Sequence, residues 1–219
     1  VSDPTINRTA LIQVLGAIAY GEWKAYEGAV AKAEAAAVAD DDGGRRAWRT
    51  TAAEELRHYK GFVRRLEALG ADPTRAMRPY RSPLDRYHGG PEGDAIEEAV
   101  WSFMGEGVAD DLLRWFRTVA DQETAAFIDS VLVDEEHHEA RAAAELRALL
   151  GGSPRRRLLA ARAARRMVQR MVLAGQPAPL RFAPFLQLGR GPALLSELIG
   201  GQVRRLRAIG VLAAGMALP

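Results

Sequence analysis

Two short segments limit what this chain can become. Glu54-Glu55-Leu56-Arg57-His58 and Asp134-Glu135-Glu136-His137-His138 each set a glutamate and a histidine three residues apart, Glu55 with His58 and Glu135 with His138. On an α-helix, residues i and i+3 share a face, so each pair can offer a carboxylate and an imidazole to one metal ion. A single Glu-x-x-His arises readily by chance in a charged helix. These two gain weight from their place on an apolar stripe, found by stepping about 100° per residue. Phe127, Ile128, Val131, Ala142, Leu146 and Leu149 lie on the side of Glu135 and His138, whereas His137 falls well off it and Asp134 at its edge. The inward pair is therefore 135 with 138, not 134 with 137. Around Glu55 the stripe is Trp48, Ala52, Tyr59, Phe62, Leu66 and Leu69, with His58 at its margin.

Each pair has a companion glutamate on the helix before it. A first helix is expected from Thr5 to Val38, with Leu11, Leu15, Ile18, Glu22, Tyr26, Ala29 and Ala33 on one stripe. Asp40-Asp41-Asp42-Gly43-Gly44 stops it and turns the chain. A second helix runs from Arg45 to Leu69, with Gly70 as its stop. A third opens on a capping box, Asp94 with Glu97, and runs to Ala120, carrying Glu106 between Gly105 and Gly107. Asp121 caps a fourth that ends at Gly151-Gly152. Gly-Glu on one helix followed by Glu-x-x-His on the next occurs twice, so the halves read as a duplicated helical hairpin. Four core-facing carboxylates would each cost several kcal/mol to bury as bare ions. Two divalent cations would neutralise them. Carboxylate and imidazole donors suit iron or manganese, and a chain with no cysteine offers no thiolate for a softer metal. The rival reading of the same residues is a set of buried salt bridges without metal.

Between the second and third helices lie about twenty residues, 71–93, with Pro73, Pro79, Pro83, Pro91 and Gly89-Gly90 and little helical pattern. A four-helix bundle with one long crossover needs such a stretch, because the chain must travel the bundle's length, ~35–40 Å at 1.5 Å per residue. Extended chain covers that distance easily. Ser153-Pro154 then signals a fifth helix, to Ala174. One of its faces carries Ala160, Ala164, Met167, Val168 and Met171, the other Arg162, Arg165, Arg166 and Arg170. A Pro-rich break at 176–179 precedes a weaker helix from Ala193 to Ala208. The third helix has a second apolar face, Trp101, Met104, Val108, Leu112, Trp115 and Val119, which the C-terminal helices or a second subunit in a homodimer must cover. The expected fold is all-α: a four-helix bundle over residues 1–152 and a basic helical extension over 153–219 packed on it.

Charge follows the same division. The net charge of +2 is −9 over residues 1–150 and +11 over 151–219. Such asymmetry suggests that the tail docks on the acidic body or meets an anionic partner. The tail's only aromatics are Phe182 and Phe185, and no RNA-binding motif with interleaved aromatics appears, so tRNA is the less favoured partner. No stretch of about 18 uncharged apolar residues is present to span a membrane. The lack of cysteine and of a secretory leader fits the cytoplasm.

The set as a whole, one glutamate from each of two helices and one Glu-x-x-His from each of the other two, resembles the ligand set of ferritin-like di-iron or di-manganese carboxylate proteins. Glu54-Glu55-Leu56-Arg57-His58 resembles the [Asp/Glu]-Glu-x-Arg-His motif of oxygen-activating members of that superfamily. Residues 11–174 are similar to a bacterial ferritin-like family related to the MiaE-type tRNA hydroxylase, on Ala19-Tyr20-Gly21-Glu22, Leu66-Glu67-Ala68-Leu69-Gly70-Ala71-Asp72-Pro73, Pro83-Leu84-Asp85 and the Gly-Glu-Gly around Glu106. The resemblance implies two iron ions (manganese or a mixed pair being the alternative), O2, an electron donor and an organic substrate. It implies six ligands: Glu22, Glu55, His58, Glu106, Glu135 and His138. Glu55 and Glu135 would bridge the metals or nearly so, and the other four would be terminal. Asp134 would brace His58, Glu54 would brace His138, and Arg57 belongs to the motif. Tyr26 and Tyr59, each one turn beyond a ligand, are either redox or hydrogen-bonding groups or ordinary core tyrosines. No catalytic residue is expected beyond the metal ligands. The expected function is an O2-dependent hydroxylase or other monooxygenase. The alternatives are iron oxidation and storage, or a metal-free binding or scaffold protein using its basic tail.

Overall fold

The computed structural model describes residues 7–89, 93–174 and 179–212. The expected helix start at Thr5, Gly90 and Pro91 of the crossover, the break at 176–178, residues 213–219 and the side chains of Arg170 and Met171 lie outside the described residues. Among the described residues there are helices and no strand, as expected. They are α1 (Arg8–Val38), α2 (Asp42–Ala68), α3 (Pro73–Met77), α4 (Arg81–His88), α5 (Ala95–Val100), α6 (Glu106–Arg117), α7 (Gln122–Leu150), α8 (Pro154–Ala174), α9 (Pro179–Gln187) and α10 (Gly191–Ala208). A 3₁₀ turn, Arg78–Tyr80, precedes α4, and a π turn, Trp101–Gly105, joins α5 to α6. None of the described helices is long and apolar enough to cross a membrane.

Local chemistry sets the helix ends. Asn7 caps α1 by accepting from the Ala10 N–H at 3.1 Å. Asp41 caps α2 by accepting from the Gly44 N–H at 2.9 Å. Gly70, at φ +66°, ends α2. Its N–H donates to the Glu67 carbonyl at 2.8 Å, and that of Ala71 to the Leu66 carbonyl at 3.0 Å. This pair of bonds defines a Schellman stop, and the positive φ is what glycine supplies without strain. The Asp121 carboxylate accepts from the Thr124 N–H at 3.1 Å and the Thr124 hydroxyl at 2.6 Å, capping α7.

The chain forms two compact units, neither a single stretch. The first comprises residues 1–89, 120–127 and 177–189. Its centre is the antiparallel hairpin of α1 and α2, whose buried residues include Val14, Leu15, Ile18, Phe62 and Leu66. The second comprises residues 90–119, 128–176 and 190–219. Its core joins Val100, Phe103 and Met104 to Ala142, Ala143 and Leu146 of α7 and to Ala160, Ala163, Ala164 and Met167 of α8. The outer face of the third predicted helix is thus covered at Met104 and Trp115, both fully buried, with α8 against α5 and α10 along α6. Val168, expected on the inner face of α8, is exposed.

Two expectations need correction. The crossover is not extended: α3, the 3₁₀ turn and α4 wind most of it into short helices. Its prolines sit where a helix tolerates them. Pro73 follows the cap Asp72, whose carboxylate accepts from the N–H groups of Thr74 at 2.9 Å and Arg75 at 3.3 Å. Pro83 lies in the first turn of α4, where no backbone N–H has a partner to lose. The third helix, expected to be continuous, is interrupted by the π turn, whose wider i→i+5 winding breaks the 3.6-residue stepping just before Glu106.

The crossover is fastened to α1 at two of the segments that carry the family resemblance. The Tyr20 hydroxyl donates to Asp85 of α4 at 2.7 Å. Burial and that carboxylate push the Tyr20 phenol up to about 12, so it remains a donor. Four residues earlier, Gly16 gives way to α3: a Cβ there would overlap the backbone carbonyl of Ala76. Gly28, on the same helix, has open space where its Cβ would be. Alanine should therefore act in opposite senses at the two positions. Gly28→Ala should stabilise by ~0.5–1 kcal/mol through helix propensity. Gly16→Ala should destabilise by ~1–3 kcal/mol through overpacking. Denaturant unfolding of the two variants measures both, and equal effects would contradict the packing of α3 on α1.

Candidate metal centre

Glu22 of α1 and Glu55 and His58 of α2 meet inside the first unit. Glu22 and Glu55 are each 6% exposed and His58 1%. His58 Nδ1 lies 3.4 Å from Glu22 Oε2 and 3.7 Å from Glu55 Oε2. One carboxylate oxygen from each glutamate and one ring nitrogen of His58 all fall within 4.8 Å of one another. The local cause is the helical hairpin: the i,i+3 spacing aligns Glu55 with His58, and the turn at Ala39–Asp41 brings Glu22 level with them. Two oxygens and an imidazole nitrogen converging at this distance, in a buried place, fit a hard or borderline divalent cation such as Fe²⁺ or Mn²⁺.

The second unit carries the corresponding pair on α7. His138 Nδ1 lies 3.4 Å from Glu135 Oε2, and both side chains are largely buried. His137 is exposed, as the register argument requires. Glu106 departs from expectation. It shares a helical face with buried Asp110 and Leu113, yet its own side chain is exposed, with the Ser102 hydroxyl donating to Oε2 at 3.2 Å. The π turn just before it shifts its register from that of a regular helix.

Of the neighbouring residues, Glu54 and Asp134 are half-buried and Arg57 is exposed. Tyr26 and Tyr59 both pack on Trp23, each with ring centroids 5.2 Å from the indole. That supports an aromatic packing role for the two tyrosines. Two buried carboxyls and a half-buried histidine have no counterpart in the sequence expectations. Asp110, 4% exposed, is pushed well above the usual carboxylate range by burial and by the charges of Glu135 and Glu139. Asp111 is pushed up by burial and pulled back by Arg205, its fully buried partner. His88 is pushed down to about 4 by burial and by Lys24, so its imidazole is neutral at neutral pH. Asp110 could have been found: at i+4 from Glu106 it lies on the same stripe.

A family model described as the ferritin-like domain of actinomycetes matches residues 6–178. The chain belongs to this family. A solved structure described as protein 19 with aldehyde deformylating oxidase activity, from Synechococcus, is similar to this ferritin-like chain with a TM-score of 0.70 at 22% identity, over 93% of this chain and 90% of that one. At that identity the likeness shows a shared ferritin-like fold. No curated protein matches the sequence.

The register gives a direct contrast within one motif. His58→Ala and His138→Ala should each weaken divalent metal binding at least ~10-fold, whereas His137→Ala should leave it unchanged. Titration with Mn²⁺ followed by calorimetry reads the difference, and equal losses in all three would refute the register.

Proposed function

We propose that this ferritin-like chain is an O2-dependent oxidoreductase of hydroxylase or monooxygenase type, with two metal ions held by Glu22, Glu55, His58, Glu106, Glu135 and His138. The observation that carries the proposal is the burial of Glu22, Glu55 and His58 with their donor atoms converging. When bound, an iron pair would supply the electrons and the coordination sites for activating O2; manganese or a mixed pair is the alternative. Everything else falls to the chain. The glutamates offset the metals' charge. The helical hairpin keeps His58 Nδ1 turned to the carboxylates, which leaves Nε2 to an acid such as Asp134, as the family motif implies, with Glu54 in the same role for His138. Phe62 and Leu66, one and two turns beyond His58, are fully buried and make the surroundings of α2 apolar.

The family resemblance favours an organic substrate hydroxylated at carbon, with reducing equivalents from an electron donor. The basic tail gives limited support to a tRNA substrate, because part of its charge is used within the protein. Arg166 donates to Glu97 at 3.0 Å, Arg156 to the Leu149 carbonyl at 2.9 Å, and Arg205 to Asp111 and Glu139.

Metal analysis of the purified protein tests the proposal. Two iron or manganese ions per chain are expected, together with O2 consumption when the reduced protein is exposed to air. A Glu55→Ala/Glu135→Ala double variant should lose both properties. Full metal occupancy in that variant would refute the site, and assembly into a large iron-filled cage would favour iron storage instead.

A further inference from the structure

Arg205, near the end of α10, is 2% exposed, and every nitrogen of its guanidinium has a partner in the second unit. Nη1 donates to Asp111 Oδ2 at 2.7 Å. Nη2 donates to Asp111 Oδ1 at 3.2 Å and to the Gly107 carbonyl at 2.6 Å. Nε donates to Glu139 Oε1 at 3.0 Å. One planar cation thus holds a side chain and a backbone carbonyl of α6 and a side chain of α7. Two glycines make room for it. A Cβ on Gly107 would overlap the Arg205 guanidinium, and a Cβ on Gly201 of α10 would overlap the Asp111 carboxylate.

The partners of Arg205 adjoin the candidate ligands. Gly107 follows Glu106. Glu139 follows His138 and lies one helical turn beyond Glu135, on the same face. From this geometry we infer that Arg205 is a positioning residue for the part of the metal centre carried by α6 and α7. The inference rests on the proposed function and extends it, because it assigns a role to a helix that lies beyond the segment matched by the family model. Arg205 fixes α6 against α7 at the level of Glu106, Glu135 and His138. It also supplies positive charge beside Asp111 and Glu139 and near Asp110, the carboxyl that meets the charges of Glu135 and Glu139. Arg114 assists, donating to Asp111 at 3.2 Å and standing 3.6 Å from Glu139. Arginine is required because only its rigid fork meets one carboxylate in bidentate fashion while reaching two further acceptors.

A residue that merely docks α10 would need Asp111 and Gly107 but not Glu139. Glu139→Gln therefore separates the two roles, since it removes the negative charge that Arg205 and Arg114 meet on α7, keeps the size of the side chain and leaves the bonds to Asp111 and Gly107 in place. Arg205→Lys keeps the charge and loses the fork. Wild-type protein and both variants would be titrated with Mn²⁺ by calorimetry, with far-UV circular dichroism and metal-free melting as controls. The wild-type chain should take up two ions. Each variant should hold one ion normally and bind the other at least ~10-fold more weakly, as is typical when the support of a metal ligand is removed, with metal-free melting of Glu139→Gln near wild type. If Arg205→Lys fails to fold, Glu139→Gln decides alone. Wild-type affinity for both ions in Glu139→Gln overturns the positioning role. A wild-type chain that takes up no Mn²⁺ overturns the metal reading, and this inference with it.

Discussion

Burying ionised side chains is the constraint on which the rest of this structure depends. Water must be replaced by a partner of opposite charge, or the group costs several kcal/mol. The protein meets this demand in two ways. At Asp111 it uses Arg205, with hydrogen bonds filling the whole guanidinium and two glycines clearing the space. At Glu22 and Glu55 the partner within reach is a neutral-capable imidazole, His58, whose Nδ1 turns toward both carboxylates. An imidazole and two carboxylates converging on one point are the donor set of a divalent cation. The long, regular hairpin of α1 and α2 follows from that need. A ligand pair at i,i+3 and a third group across the turn stay in register only if both helices are unbroken between the turn and the site.

Much of this was legible from the sequence, because it depends on local chemistry and on a constant helical pitch. The choice of 135 with 138 over 134 with 137 came from stepping around a regular helix, and the exposure of His137 agrees. The caps at Asp94 and Asp121 and the stop at Gly70 are written in single residues whose side chains or φ angles do the work. Where local rules have exceptions, the reading failed. Prolines at 73 and 83 read as part of a stretch with little helical pattern, and in the fold they are first-turn residues. The π turn at Trp101–Gly105 has no sequence signature of its own, so the third helix reads as continuous where the chain interrupts it. Arg205 was invisible for another reason: its partners lie more than sixty residues away. A signal existed all the same. Asp111 falls beside Trp115 and Met104 on the outer apolar face of the third helix, and an acid buried there demands a cation from whatever covers it.

The segments that suggested the family also have physical work to do. Tyr20 and Asp85, from two separate motifs, are one hydrogen bond. Leu66 through Pro73 contains the Schellman stop of α2 and the cap of α3. Gly16 admits the α3 carbonyl beneath them. Together these features fix the crossover on α1 beside Glu22. They explain why a ferritin-like chain carries so ordered a connection where an extended one would reach. The basic tail is likewise put to structural use: α8 covers Met104 and α10 delivers Arg205, so the excess positive charge of residues 151–219 is drawn partly into the second unit.

The most direct test of the account is anomalous X-ray diffraction from crystals grown with Mn²⁺. The account predicts two manganese ions per chain, coordinated by Glu22, Glu55, His58, Glu106, Glu135 and His138, with Glu106 drawn in from its exposed position. Crystals in which Glu22, Glu55 and His58 keep the spacing they have here, with no manganese beside them at saturating concentration, would contradict it.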